Sequence, residues 1–306
     1  EAIHVSEGRA GPESLVERLE NFKAKLSVAD DATSDQRNFV TDDLETLEKH
    51  TIKGEGLSWR LACLNRSLGP LRTGDFGFIF ARPESGKTTF LADQCTYMAA
   101  QAPEGRPVVW FNNEEQGEKV RLRTYQAALG ITQDEIWINR DKTQQEYRQV
   151  TKGNLHIYDD ATISRGDVER VVDRLNPCLV VFDQIDKIKG FSADRPDLVY
   201  GRIYQWAREL AKSRCAIIGV CQADGTGEGI KWLTMGHVSD AKTAKQAEAD
   251  WILGIGKTNE GGTEDVRFLN ISKNKLLGDE NTDPSERHGR FEVFIRPTIA
   301  RYEDLY

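Results

Sequence analysis

Nine consecutive residues, Ala81-Arg82-Pro83-Glu84-Ser85-Gly86-Lys87-Thr88-Thr89, have the types and spacing needed to hold phosphate. An apolar stretch over 76–80 precedes them and reads as a buried strand; the stretch 90–98 that follows reads as a helix. A strand, a tight turn, Gly-Lys-Thr and a helix start surround an anion with backbone N–H groups and the positive end of a helix dipole. In that setting residues 81–89 wrap a nucleotide, Lys87 reaches the β- and γ-phosphates, and the Thr88 hydroxyl holds Mg²⁺. The expected cofactors are ATP and Mg²⁺. The generic phosphate-loop pattern has glycine where this chain has Ala81, so a chance Gly-Lys-Thr at a helix start is the competing reading. The flanking strand and helix argue against it.

Three further strand ends carry groups that such a site needs. Leu179-Val180-Val181-Phe182-Asp183 is an apolar run ending in a carboxylate, which suits a metal-organising Asp at the carboxyl edge of a sheet. Val108-Val109-Trp110-Phe111-Asn112-Asn113 leads into Glu114 and Glu115. Hydrolysis of ATP needs a base for the attacking water, and Glu114 is placed for it; an acid favoured by a helix N-terminus is the alternative, assigned here to Glu115. Ile217-Ile218-Gly219-Val220-Cys221 ends in Gln222, a neutral donor able to sense a γ-phosphate, or else a satisfied polar strand end. The stretch 223–245 reads as a long Gly-rich loop containing Lys231, Lys242 and Lys245. Long loops inside compact domains are usually functional or disordered.

The elements that position these residues alternate along the chain. Strands are expected at 76–80, 108–113, 155–158, 179–183 and 216–221, separated by helical stretches, which predicts a mainly parallel sheet with helices on both faces. Strands at 251–255, 266–272 and 291–295 follow with little helix between them and read as a hairpin-linked end of the sheet. Residues 1–55 form an arm and linker with a short amphipathic helix over 13–26 and a flexible stretch over 30–43. That helix lies either on its own domain or on a neighbouring subunit. Residues 56–306 are the α/β domain.

The net charge of −8 is concentrated at the start: residues 1–60 hold 8 Lys/Arg and 13 Asp/Glu, or −5, leaving −3 for the rest. Such a balance excludes an indiscriminate nucleic-acid binder but not a local basic loop. Cys63, Cys95, Cys178, Cys215 and Cys221 form no C-x-x-C pair and read as core residues in a reducing compartment. No leader and no apolar run long enough for a bilayer is expected.

Taken in order, these pieces resemble the RecA-fold hexameric helicases, in particular the DnaB-type replicative helicases and their phage relatives. The run Ala81 to Thr88 is similar to that family's own variant of the loop, which accounts for the missing glycine. The resemblance extends over about residues 56–296 and includes Leu155-His156-Ile157-Tyr158-Asp159-Asp160, Ala244-Lys245-Gln246-Ala247-Glu248-Ala249-Asp250, and the run-in from Gly56-Leu57-Ser58-Trp59 to Leu71-Arg72-Thr73-Gly74-Asp75. It implies a RecA-like phosphate-loop NTPase core and an ATP-driven, ring-forming DNA helicase motor. The implied partners are single-stranded DNA, its own copies in a homo-hexamer, and a primase or DNA polymerase, with no membrane. The resemblance makes Lys231, Lys242 and Lys245 of the 223–245 loop the expected contacts for DNA backbone, against the plainer reading of a solvated loop. The implied location is the cytoplasm of a bacterial or phage-infected cell. It places the catalytic glutamate at Glu114, with Arg123 steadying it. It also implies that Lys273 and the residue two further on act on a neighbouring subunit's nucleotide. The family has arginine at that second position; this chain has Lys275, a point charge rather than a planar fork, and Arg287 or Arg290 is the alternative finger. A RecA/RadA-like recombinase, a KaiC-like ATPase and an ATP-switched loader or scaffold share the same core and stand as alternatives.

Overall fold

The computed structural model describes residues 43–51 and 56–305. The chain divides between Glu48 and Lys49 into two units. Helix α1, Leu44–Thr51, opens with the Asp43 carboxylate accepting from the Thr46 N–H at 2.8 Å. The expected helix at 13–26 and all of the stretch 30–43 except Asp43 lie outside the described residues.

From Gly56 onward the described chain forms α2 (Ala62–Leu68), β1 (Phe76–Ala81), α3 (Lys87–Gln101), β2 (Val108–Asn112), α4 (Gly117–Leu129), α5 (Gln133–Ile138), α6 (Arg140–Thr151), β3 (Leu155–Asp159), α7 (Arg165–Leu175), β4 (Leu179–Asp183), α8 (Pro196–Ser213), β5 (Ala216–Gln222), α9 (Lys242–Glu248), β6 (Trp251–Gly256), β7 (Val266–Asn274), β8 (Arg290–Arg296) and β9 (Arg301–Asp304). One sheet runs β3-β2-β4-β5-β1-β6-β7-β8-β9. Its first six strands are parallel; β7, β8 and β9 continue it antiparallel. The expected α/β fold with a mainly parallel, RecA-like sheet is the fold observed.

Alternation along the strands supplies two cores. Ile79, Trp110, Val181, Val220 and Leu253 face α3 and α2 through Phe90, Leu91, Cys95, Leu64 and Leu68. Phe78, Val109, Phe111, Phe182 and Ile217 face α7 and α8 through Val168, Val172, Ile203, Tyr204 and Trp206. A parallel strand buried on both faces must be apolar throughout, which is why β1, β2 and β4 read as continuous apolar runs. Gly77 permits one close approach: a side chain there would meet the Trp251 ring at 2.1 Å. All five cysteines are buried and free. No helix among the described residues is long and apolar enough to cross a membrane.

Strand register decides where chemistry collects. Ala81 pairs with Gln222 and Asn112 with Asp183, so β1, β5, β2 and β4 end together at one edge of the sheet. Antiparallel β7 runs the other way, and Asn274 lies opposite Trp251 at the start of β6. Lys275 therefore stands at the opposite edge from residues 81–89.

Candidate functional site

The loop after β1 turns through Glu84 (φ 59°) and Gly86 (φ 97°) into the first turn of α3. Lys87 is buried, and its Nζ donates to the loop carbonyls of Ala81 and Arg82 at 3.5 and 3.3 Å. Burial lowers the pKa of this ammonium, while the charges of Glu114 and Asp183 act to keep it protonated. Arg82 turns out of the loop: its guanidinium bonds the Ala223 carbonyl at 3.0 Å and pairs with Glu228 at 3.0 Å. Thr88 and Thr89 are half-buried in the first turn, and Ser85 is buried beneath it.

Asp183 closes β4 and is 1 % exposed. Its Oδ1 is buried with no hydrogen-bond partner. Burial first, and then the neighbouring Glu114 charge, push its pKa up to about 7. A buried carboxylate oxygen without a donor fits a cation ligand. Among the described residues no group of three or more His, Cys, Asp or Glu could hold a metal ion. A magnesium ion here would therefore lean on Asp183, the Thr88 hydroxyl and nucleotide oxygens, a pattern usual for Mg²⁺ in phosphoryl transfer.

Glu114 stands beyond the end of β2, exposed. Its Oε2 accepts from Gln184 Nε2 at 2.7 Å, and its Oε1 lies 3.7 Å from Lys187 Nζ. Gln184 is in turn fixed by Asn113, whose amide bonds the Gln184 backbone N–H at 2.6 Å and carbonyl at 2.9 Å. Asn113 and Gln184 are site residues that the sequence reading missed. Each sits directly beside a strand-end carboxylate, a position that could have drawn attention to them. Arg123 pairs with Glu115, not Glu114. The expectation that Arg123 steadies Glu114 is corrected accordingly: α4 presents Arg123 to the second carboxylate, and Gln184 and Lys187 hold the first. Gln222 ends β5 half-buried beside Ala81, its carbonyl accepting from Ser239 N–H at 3.0 Å.

The three lysines expected to meet DNA all have acid partners. Lys245 is fully buried; its Nζ donates to Asp186 Oδ2 at 2.7 Å and to the Ser239 carbonyl at 3.0 Å, with the Tyr200 and Tyr204 rings 4.7 and 5.4 Å away. A side chain so enclosed has no access to a polymer, so the expectation for Lys245 is overturned. Lys242 and Lys245 both lie on α9 rather than in a loop. Lys242 pairs with Asp224 at 2.6 Å, and that bond holds the Asp224 carboxyl down to about 2. Lys231 is half-exposed, 3.5 Å from Glu260 and over the Phe268 ring.

At the far edge, Lys273 donates to the Gln246 carbonyl, and burial lowers its pKa, with the Lys275 charge adding to the effect. Lys275 is exposed, its backbone anchored on the Asp250 carbonyl at 2.8 Å. Arg287 is exposed nearby and bonds the Asn274 carbonyl at 3.1 Å; Arg290 lies over the Trp232 ring.

A parallel sheet with a phosphate loop after β1, and carboxylates at the ends of β2 and β4, defines a nucleotide-binding α/β protein of the phosphate-loop class. Within that class the chain belongs to the AAA domain family, whose description matches residues 41–228. It is similar to the replicative DNA helicase DnaB of Haemophilus influenzae, 24% identical over 315 aligned positions that cover 96% of this chain and 62% of that protein. The DnaB of Pasteurella multocida is 25% identical over 271 positions, covering 82% and 56%. The chain thus spans about three-fifths of the length of these curated relatives. A solved DnaB-like replicative helicase, studied with its interactions with primase, superposes with a TM-score of 0.66 at 18% identity over 93% of this chain and 66% of that one. The resemblance to DnaB-type helicases read from the motifs is borne out by these relatives.

Proposed function

We propose that this domain is the ATP-driven motor of a ring-forming replicative DNA helicase that moves along single-stranded DNA. One observation carries the reading: strand register gathers Lys87, Glu114, Asp183 and Gln222 at one edge of the sheet and leaves Lys273 and Lys275 at the other. A charge at the far edge cannot serve its own loop. In a ring of identical subunits it can face the next subunit's nucleotide, and such closed symmetry is the common form of homo-oligomer.

In the proposed reaction the residue 81–89 loop cradles the triphosphate and Lys87 neutralises its terminal oxygens. Glu114, held by Gln184 and Lys187, orients the attacking water and takes its proton. Thr88 and Asp183 would hold a magnesium ion, which would supply charge neutralisation on the phosphates. Lys275 of the neighbour, with Arg287 beside it as the alternative, stabilises the charge that develops on the transferred group. Gln222 and Arg82 link the loop after β1 to the segment after β5, which contains Lys231 and Lys242; that segment is the proposed DNA-contacting surface, gripping backbone with little base preference. Primase or polymerase partners and work in the cytoplasm of a bacterial or phage-infected cell belong to the same reading. The DnaB relatives do not favour a recombinase, a KaiC-like role or a non-hydrolysing scaffold.

Displacement of a labelled strand from a tailed duplex, with ATP and Mg²⁺, tests the proposal. Unwinding by the wild-type chain, and none by Glu114→Gln, is the expected result. ATP-dependent strand exchange between homologous duplexes without unwinding would replace this reading with a recombinase.

A further inference from the structure

The N–H groups of Gly86, Lys87, Thr88 and Thr89 have no acceptor among the described residues. They are the donors a phosphate would need. The first turn of α3 fixes part of their aim, since the Gly86 carbonyl accepts from Phe90 N–H at 2.9 Å; the rest of what holds the loop lies on its opposite side, in the antiparallel end of the sheet. The Ser85 carbonyl accepts from Arg267 Nε at 2.8 Å. The Tyr302 hydroxyl bonds the Gly86 carbonyl at 3.2 Å and the Ser85 carbonyl at 3.4 Å. A trans peptide directs its C=O and N–H to opposite sides. Drawing the Ser85 carbonyl toward β7 and β9 therefore turns the Gly86 N–H the other way, and fixing the Gly86 carbonyl does the same for the Lys87 N–H.

The fit is close and rigid. Ser85, Arg267 and Tyr302 are 2, 5 and 1% exposed. A side chain at Gly86 would meet Tyr302 Oη and Ile295 Cδ1, each at 2.6 Å, so the loop can lie here only because residue 86 is glycine. Tyr302 is itself held by its backbone N–H on Asp93 Oδ2 at 3.3 Å and by an edge-to-face contact with Phe90 at 5.3 Å. Arg267 is locked by bonds to the Glu264 and Val266 carbonyls at 2.8 and 2.7 Å. Both residues lie outside the segment matched by the family description.

We propose that Arg267 and Tyr302 are positioning residues for nucleotide phosphate: they hold the Ser85 and Gly86 carbonyls inward so that the adjoining N–H groups face the ligand. The proposal rests on the reading of residues 81–89 as a nucleotide site. It is tested by titrating fluorescent Mg²⁺–ADP into wild type, Tyr302→Phe, Arg267→Lys and Lys87→Ala, with thermal unfolding of each measured without nucleotide. Tyr302→Phe keeps the ring and loses the hydroxyl, so affinity falls about 3- to 10-fold, the worth of one such bond. The KM for ATP rises by a similar factor and kcat falls less, since the loop grips ground and transition states alike. Arg267→Lys keeps the charge but not the planar donor and carries the same expectation should Tyr302→Phe fold poorly. Lower thermal stability with ADP affinity within twofold of wild type means a merely structural role and overturns the proposal. If Lys87→Ala abolishes binding in that case, the nucleotide reading stands without the positioning role. If Lys87→Ala binds like wild type, or wild type binds no nucleotide, both readings fall.

Discussion

Glu114 and Glu115 are adjacent in sequence but are held by different groups, one by Gln184 and Lys187, the other by Arg123. If Glu114 handles the proton of the attacking water, Glu114→Gln binds Mg²⁺–ATP normally and hydrolyses it about 10²-fold more slowly in single-turnover experiments. Glu115→Gln keeps most of the turnover. The reverse pattern would assign the base to Glu115. Asp183 makes a second prediction, about pH. Its folded-state pKa of about 7 lies above the unfolded carboxylate value, so the folded chain holds a proton that the unfolded chain has released. That contribution to stability is present at low pH and is lost as pH rises from the unfolded value toward about 7. Asp183→Asn removes the buried charge. The ligand-free variant therefore melts higher than wild type above that pH, and the gap closes as the solution is acidified. It also loses the stabilisation that Mg²⁺–ADP gives wild type. A gap that ignores pH contradicts the assignment of a raised pKa. Strand-end carboxylates were legible because an apolar run ending in Asp or Glu is a local pattern. Which of two neighbouring glutamates meets Arg123, and that Asn113 clamps Gln184, depend on how the chain turns after β2 and β4, which no spacing encodes.

At the scale of elements, α9 shows how a lysine-rich stretch in an acidic chain misleads. Lys242 and Lys245 read as polymer contacts because both are cationic and follow a Gly-rich stretch. The fold buries Lys245 on Asp186, out of reach of a polymer, whereas Lys242, paired with Asp224, stays partly exposed. Since Asp186 is largely buried, Lys245→Ala strands an unpaired carboxylate and costs about 3–5 kcal/mol of stability in denaturant unfolding. A loss well under 1 kcal/mol would show that the pair is not buried in solution. The sheet was legible for eight of its nine strands, since β1 to β8 are runs of apolar or alternating residues bounded by turn signals. Strand β9, Arg301–Asp304, was not: four residues with three charged side chains have too little pattern. It nonetheless does much of the fastening. Asp304 accepts from the Ala62 and Cys63 N–H groups at the start of α2, Arg301 bonds the Ala127 and Ala128 carbonyls at the end of α4, and Tyr302 meets the phosphate loop.

For the whole molecule, the separation of Lys87 from Lys275 to opposite sheet edges makes the proposed site one shared between copies. Lys275→Ala then binds nucleotide but fails to hydrolyse it. Mixing it with Lys87→Ala restores part of the turnover, because some boundaries pair an intact Lys87 with an intact Lys275. Rings shown to be mixed that recover nothing at any ratio would remove Lys275 from the site and leave Arg287 to be tried in the same way. The measurement that bears most directly on the account as a whole is the rate of ATP hydrolysis by the chain with and without single-stranded DNA, beside a folded Lys87→Ala protein. The account predicts Mg²⁺-dependent turnover that rises when single-stranded DNA is added and is abolished in Lys87→Ala. Turnover in Lys87→Ala equal to wild type, or a wild-type chain that hydrolyses no ATP in either condition, would contradict it.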